Sequence, residues 1–206
     1  MLRKFSCIEE CSDCCIYREY YPGIEYGKIG VLLLPYEKQK IEKYAKELGL
    51  EIIILPRVGI GRNASGAGPE TVIAYQLMGK RSDGDVCPFL EMEGTERSPH
   101  GGFKCNIYDK KPVACSAYPV NTEDREIVTL DRKCKFCRVN NKDEDLTGRM
   151  QLNKHNLEKE IHALRKIQKS THVDTFVEIW RYATGIGEKE KHERFYPQGW
   201  VLQEGT

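Results

Sequence analysis

The sequence predicts an α+β fold, with a small, loop-rich core stapled by metal, a short mixed sheet and a helical C-terminal tail. Three observations predict it. Four thiols fall within nine residues in Cys7-Ile-Glu-Glu-Cys11-Ser-Asp-Cys14-Cys15, and five more follow at Cys87, Cys105, Cys115, Cys134 and Cys137. Short β-rich runs flank one amphipathic helical pattern between residues 29 and 77. Beyond residue 141 the cysteines stop and helical spacing takes over, so a cysteine-cluster, metal-binding domain is expected over 1–141 and a helical extension over 142–206.

In chain order, residues 1–28 read as a loop around the first cysteines, with Tyr17, Tyr20, Tyr21, Tyr26 and Pro22-Gly23 in a turn-rich wrap. Residues 29–34 read as a strand, ended by Pro35, which is also suited to the first turn of a helix. Ile41, Tyr44, Ala45 and Leu48 recur at i, i+3, i+4 and i+7, which predicts a helix over 36–48 terminated by Gly49. A second strand is expected over 51–55, closed by Pro56, and a third over 71–77. Between them, Gly59-Ile-Gly61-Arg-Asn-Ala-Ser-Gly66 is rich in glycine but matches neither dinucleotide nor P-loop spacing, so a surface loop is expected. Residues 79–104 read as loop, and 127–130 as a short strand. In the extension, Leu152, Leu157, Ile161, Leu164 and Ile167 predict a long charged helix, and 174–184 a shorter one burying Phe176, Val177, Ile179 and Trp180.

Lys plus Arg number 32 against 31 for Asp plus Glu, a balance with no general pull toward nucleic acid or anionic membrane. No run approaches the roughly 18 apolar residues of a membrane span. Arg3 and Lys4 are not followed by an apolar signal region, so the cytoplasm is the expected compartment, where thiols stay reduced. Nine cysteines is also an odd number, which suits a complete disulfide framework poorly and metal or redox chemistry well.

Thiolate is a soft ligand suited to zinc, copper(I) and iron–sulfur clusters. Cys11/Cys14 and Cys134/Cys137 both have the two-residue spacing of a chelating loop. Neighbouring residues of an extended chain point to opposite sides, so the pair Cys14-Cys15 suggests two centres of four thiolates each; one centre plus structural thiols is the competing account. Cys7-x3-Cys11-x2-Cys14 also matches the spacing of radical S-adenosylmethionine enzymes. However, Asp13 stands where an aromatic is usual there, and the chain lacks repeated βα units. His100, before Cys105, is the histidine nearest a cysteine motif and a candidate ligand or proton donor.

The run Cys105-Asn-Ile-Tyr-Asp-Lys-Lys-Pro-Val-Ala-Cys115-Ser-Ala-Tyr-Pro119, preceded by Cys87-Pro-Phe-Leu90 and by the CxxCC box, resembles the YkgJ-like cysteine-cluster family of zinc- or iron-chelating proteins. The resemblance covers about residues 5–137 and implies that Cys7, Cys11, Cys14, Cys15, Cys87, Cys105 and Cys115 are metal ligands, with Cys134 or Cys137 completing the set. Here three residues separate Cys7 from Cys11, Ser12 stands where glycine is usual, and Lys111 and Ser116 replace arginines.

The expected function is therefore metal binding by clustered thiolates, as one or two iron–sulfur clusters of the 4Fe–4S kind, for electron transfer or to support an enzyme. A zinc-binding structural module is the alternative, with a protein partner on the helical tail. A methyltransferase-type enzyme using the 59–66 loop is a third reading. No carboxylate pair or Ser/His/Asp set marks an active site in the sequence.

Overall fold

A computed structural model describes residues 3–4, 8–18, 27–79, 84–121, 129–131, 134–135, 144–145, 178–182 and 199–203. In order, the elements are β1 (Arg3–Lys4), α1 (Asp13–Ile16), β2 (Ile29–Leu33), α2 (Pro35–Glu47), β3 (Ile54–Ile60), β4 (Thr71–Met78), β5 (Leu90–Glu91) and β6 (Lys104–Cys105). A 3-10 turn (Tyr108–Lys110), α3 (Val113–Ala117), β7 (Val120–Asn121), β8 (Thr129–Leu130), β9 (Glu144–Asp145), β10 (Ile179–Tyr182) and β11 (Trp200–Gln203) follow. They fall into two compact units, one of Met1–Tyr17 with Phe89–Ile161, the other of Arg18–Pro88 with His162–Thr206.

The second unit is built on a five-stranded sheet in the order β11-β10-β3-β4-β2. Every pairing in it is antiparallel, where a mixed sheet was expected. Since β2 and β3 both run against β4, they are parallel to each other with β4 between them, and α2 makes the crossover. This helix begins as its sequence predicts: Pro35 occupies the first turn, and the Glu37 carboxylate turns back to accept from the Leu34 N–H at 3.0 Å. It ends at Gly49, whose φ of 65° lets Gly49 N–H reach Lys46 O and Leu50 N–H reach Ala45 O. Ile41 and Ala45 bury its inner face, and the helix packs on β2 and β4.

Two expectations are corrected here. The second strand lies at Ile54–Ile60 rather than 51–55, and it runs through Pro56 instead of stopping there. The ladder shifts register between Pro56 and Val58, and that irregularity accommodates a residue with no N–H to donate. The short helix expected over 174–184 is also not what forms at Ile179–Tyr182, which is strand β10. A cluster of apolar residues at 176–180 suits either periodicity over so short a span, and pairing with β3 on one side and β11 on the other decides it. Trp180 is wholly buried in this inner strand and donates its indole N–H to Gly61 O at 2.5 Å. The long helix expected around Leu152–Ile167 lies outside the described residues.

The glycine-rich segment is the turn between β3 and β4. Four of its amides are taken up within the protein: Gly61 N–H donates to Glu178 O, Asn63 N–H to Gly68 O, Gly66 N–H to Asn63 O and Ala67 N–H to the Asn63 side chain. Gly59 is buried against Pro69, where a Cβ would collide. The Arg62 guanidinium grips the Glu178 carboxylate through Nε at 2.7 Å and a second nitrogen at 2.5 Å, and lies over the Trp180 ring. With these four donors already engaged, the loop has fewer amides to offer a phosphate or an adenosyl group.

Candidate metal centre

The first unit carries the cysteine box. Cys11 N–H donates to Ile8 O at 3.1 Å, and Glu10 takes the left-handed φ of 59° to make that turn. Ser12 then precedes α1, which carries Cys14 and Cys15, with Cys15 N–H on Ser12 O and Tyr17 N–H on Asp13 O. The Ser12 hydroxyl leaves its own helix end and accepts from Phe103 N–H at 2.8 Å. The residue standing where glycine is usual therefore ties the box to a segment some ninety residues later.

That segment is the turn between Ser98 and Phe103. Ser98 N–H donates to Gly102 O and Gly101 N–H to Ser98 O, while the buried Ser98 hydroxyl donates to Phe103 O and accepts from Cys105 N–H. Against the box, Glu10 N–H donates to His100 O at 3.0 Å and the His100 Nε2–H donates to Cys11 O at 2.8 Å. Gly102 has no room for a side chain, since a Cβ there would run into Cys11 O, the Ser12 hydroxyl and His100 Nε2. Ser98 thus places Cys105, and His100 and Gly102 place Cys11.

The remaining described thiols of this unit follow. Cys105 lies opposite Leu90 in the β5–β6 pair. Cys115 sits on α3, which starts after Pro112 and ends with Tyr118 N–H on Ala114 O. Cys134 N–H donates to Asp131 O, and Asp131 N–H to Pro119 O. Burial above all, then the negative charge of Asp131 and Cys134, pushes the Tyr118 phenol well above its usual range; it hydrogen-bonds Asp131, and Cys14 adds a smaller repulsion. Tyr118 therefore stands within electrostatic reach of thiols from both ends of the unit. Burial also raises the Cys11 thiol, helped by Asp13 and Cys14 and opposed by a backbone hydrogen bond at Asp13 and by Lys135.

Cys14 Sγ and Cys15 Sγ are 3.9 Å apart. The inference that these neighbours face separate centres assumed an extended chain. On a helix, successive residues differ by only about 100° in direction, and both thiols come to the same side. Two thiolates bound to one tetrahedral ion at about 2.3 Å would stand about 3.8 Å apart, so the pair fits a chelate to a single soft ion.

The seven described cysteines, Cys11, Cys14, Cys15, Cys87, Cys105, Cys115 and Cys134, are partly buried thiols, none in a disulfide. Cys87 belongs to the stretch of the second unit, between the buried Val86 and Pro88. Cys7 and Cys137 lie outside the described residues. Among the described residues, no three His, Cys, Asp or Glu side chains converge as a complete metal site. What fits a metal is the donor chemistry, all sulfur, and the spacing of the vicinal pair. Among the described residues, no helix is long and apolar enough to cross a membrane.

Neither a curated protein nor a solved structure matches the chain. A family model does, over residues 6–145, a span that takes in every cysteine and the whole Ser98–Phe103 clamp, and it carries the description "Putative zinc- or iron-chelating domain". The chain belongs to this CxxCxxCC family, the YkgJ-like cysteine-cluster proteins.

Proposed function

We propose that this is a cytoplasmic metal-binding protein whose first unit holds an iron–sulfur centre, with Cys14 and Cys15 on the same iron, for electron transfer or to support an enzyme's chemistry. The 3.9 Å between the two sulfurs is the observation that carries the shared ion. It favours a two-iron cluster, in which each iron takes two thiolates, over the four-iron form, in which each iron takes one. Ligation by sulfur alone suits an iron–sulfur cluster. Zinc in a structural site is the second reading, supported by the same spacing, which equals that of a tetrahedral thiolate pair.

Anaerobic purification followed by iron, sulfide and zinc determination tests both. Brown protein with two irons and two sulfides per chain, bleached by reductant, is the expected result. Colourless protein retaining zinc through dialysis selects the second reading. Protein that binds neither metal overturns both.

A further inference from the structure

We infer that Cys14 and Cys15 form a dithiol site for a trivalent organic arsenical, R–As=O, a ligand that takes two sulfurs and no more. The inference stands apart from the metal-binding reading, because α1 alone supplies both thiols and holds their sulfurs 3.9 Å apart. A ligand of this class needs no third donor. That matters here, since among the described residues no three His, Cys, Asp or Glu side chains converge.

The pair is placed before any ligand arrives. Cys15 N–H donates to Ser12 O and Tyr17 N–H to Asp13 O, which close the turn. The Ser12 hydroxyl anchors the start of that turn by accepting from Phe103 N–H at 2.8 Å. Each cysteine then has only χ1 left to fix. Little freedom is lost when both sulfurs bind one atom, and such preorganisation raises affinity. Both side chains are half-buried rather than sealed, so a small reagent reaches them. Two sulfurs on one three-coordinate arsenic stand slightly closer than 3.9 Å, and a small turn of either χ1 within its staggered well covers the difference.

The same geometry disfavours the competing fate of a thiol pair. Neighbouring Cα atoms are about 3.8 Å apart across a trans peptide, less than the roughly 4.4–6.8 Å that a disulfide usually spans. A bond directly between the two sulfurs therefore strains the turn, whereas one atom set between them does not. The binding step is a condensation without redox change. Two As–S bonds form, the As=O bond and two S–H bonds break, and the oxygen leaves as water with both thiol protons. Arsenic stays trivalent throughout.

The test adds one equivalent of phenylarsine oxide to the full chain, once as purified under reducing conditions and once after a chelator, and reads intact mass. A gain of one arsenical less one water is expected, with fragment ions placing it on Cys14 and Cys15. Labelling only after the chelator supports the site equally, with bound metal as the competitor. The adduct should withstand excess glutathione and be released by a small 1,2-dithiol, because only a dithiol matches two-point attachment. Cys14→Ser and Cys15→Ser, shown to be folded by circular dichroism, should each lose at least tenfold in adduct retained against glutathione. An adduct that maps to another pair of cysteines, one that glutathione removes, a folded Cys14→Ser variant that retains it, or no adduct under either condition overturns the inference. Iron, sulfide and zinc content is measured separately, so the metal-binding reading stands or falls on its own result.

Discussion

Gly102 carries more of the site than its size suggests, because the box and the later turn meet where its side chain would be. Gly102→Ala forces its Cβ onto Cys11 O. Overpacking of this kind costs about 1–3 kcal/mol, so the variant should unfold at lower urea concentration and hold metal less well. Gly94→Ala is the control, since a Cβ there meets only the flexible Glu91 side chain at 3.3 Å. In the second unit, the Arg62 hydrogen bond holds the Glu178 carboxyl below its ordinary 4.5. A depressed carboxyl stabilises the fold above that ordinary value, and the contribution disappears as pH falls through the folded one. Both side chains are over a third exposed, so the pair is worth about 0.2–1 kcal/mol. Arg62→Met should be less stable than wild type by about that amount at pH 7, with the gap narrowing as the pH is taken progressively below 4.5, as followed by chemical denaturation.

Among the elements, α1 decides how the box reaches metal. If Cys14 and Cys15 serve one ion, Cys14→Ser and Cys15→Ser each lose the same ion, and the double variant loses no more than either. Two separate losses that add in the double variant would show that the thiols serve different centres. Metal counts per chain on the three variants decide between these. Much of the architecture was legible beforehand: β2, α2 and β4 follow from β-rich runs, from the Ile41/Ala45 spacing and from Pro35 and Gly49 as boundaries. The helical course of Cys14-Cys15 was not, because four residues carry too little pattern to overrule the extended reading. Nor was β10, whose identity depends on partners more than a hundred residues away in β3. The clamp of Ser12, Ser98, His100 and Gly102 is likewise made of hydrogen bonds between distant segments. Its one local trace was His100 followed by two glycines, a place where another backbone comes close.

For the whole molecule, the two units differ in what holds them. Among the described residues, the first buries few large apolar side chains, chiefly Phe89, Leu90 and Ile107. The second buries Leu33, Ile41, Ile60, Leu77, Met78, Trp180 and Val201 around its sheet. On the metal-binding reading, a first unit whose thiols come from distant segments gains stability from its metal. Adding a chelator should therefore melt the first unit while amides of β3, β4 and β10 stay protected, a difference that hydrogen exchange reads segment by segment. Loss of protection in all three strands together with the first unit would refute that division.

The sheet order also warns against trimming the protein to its cysteines. All nine lie before residue 138, so a shortened chain ending there looks self-sufficient. Yet it would discard β10 and β11, two of the five strands, and leave β3 as a bare edge with its amides and carbonyls open to any passing strand. Insolubility of such a fragment would reflect a torn sheet rather than a failed metal site.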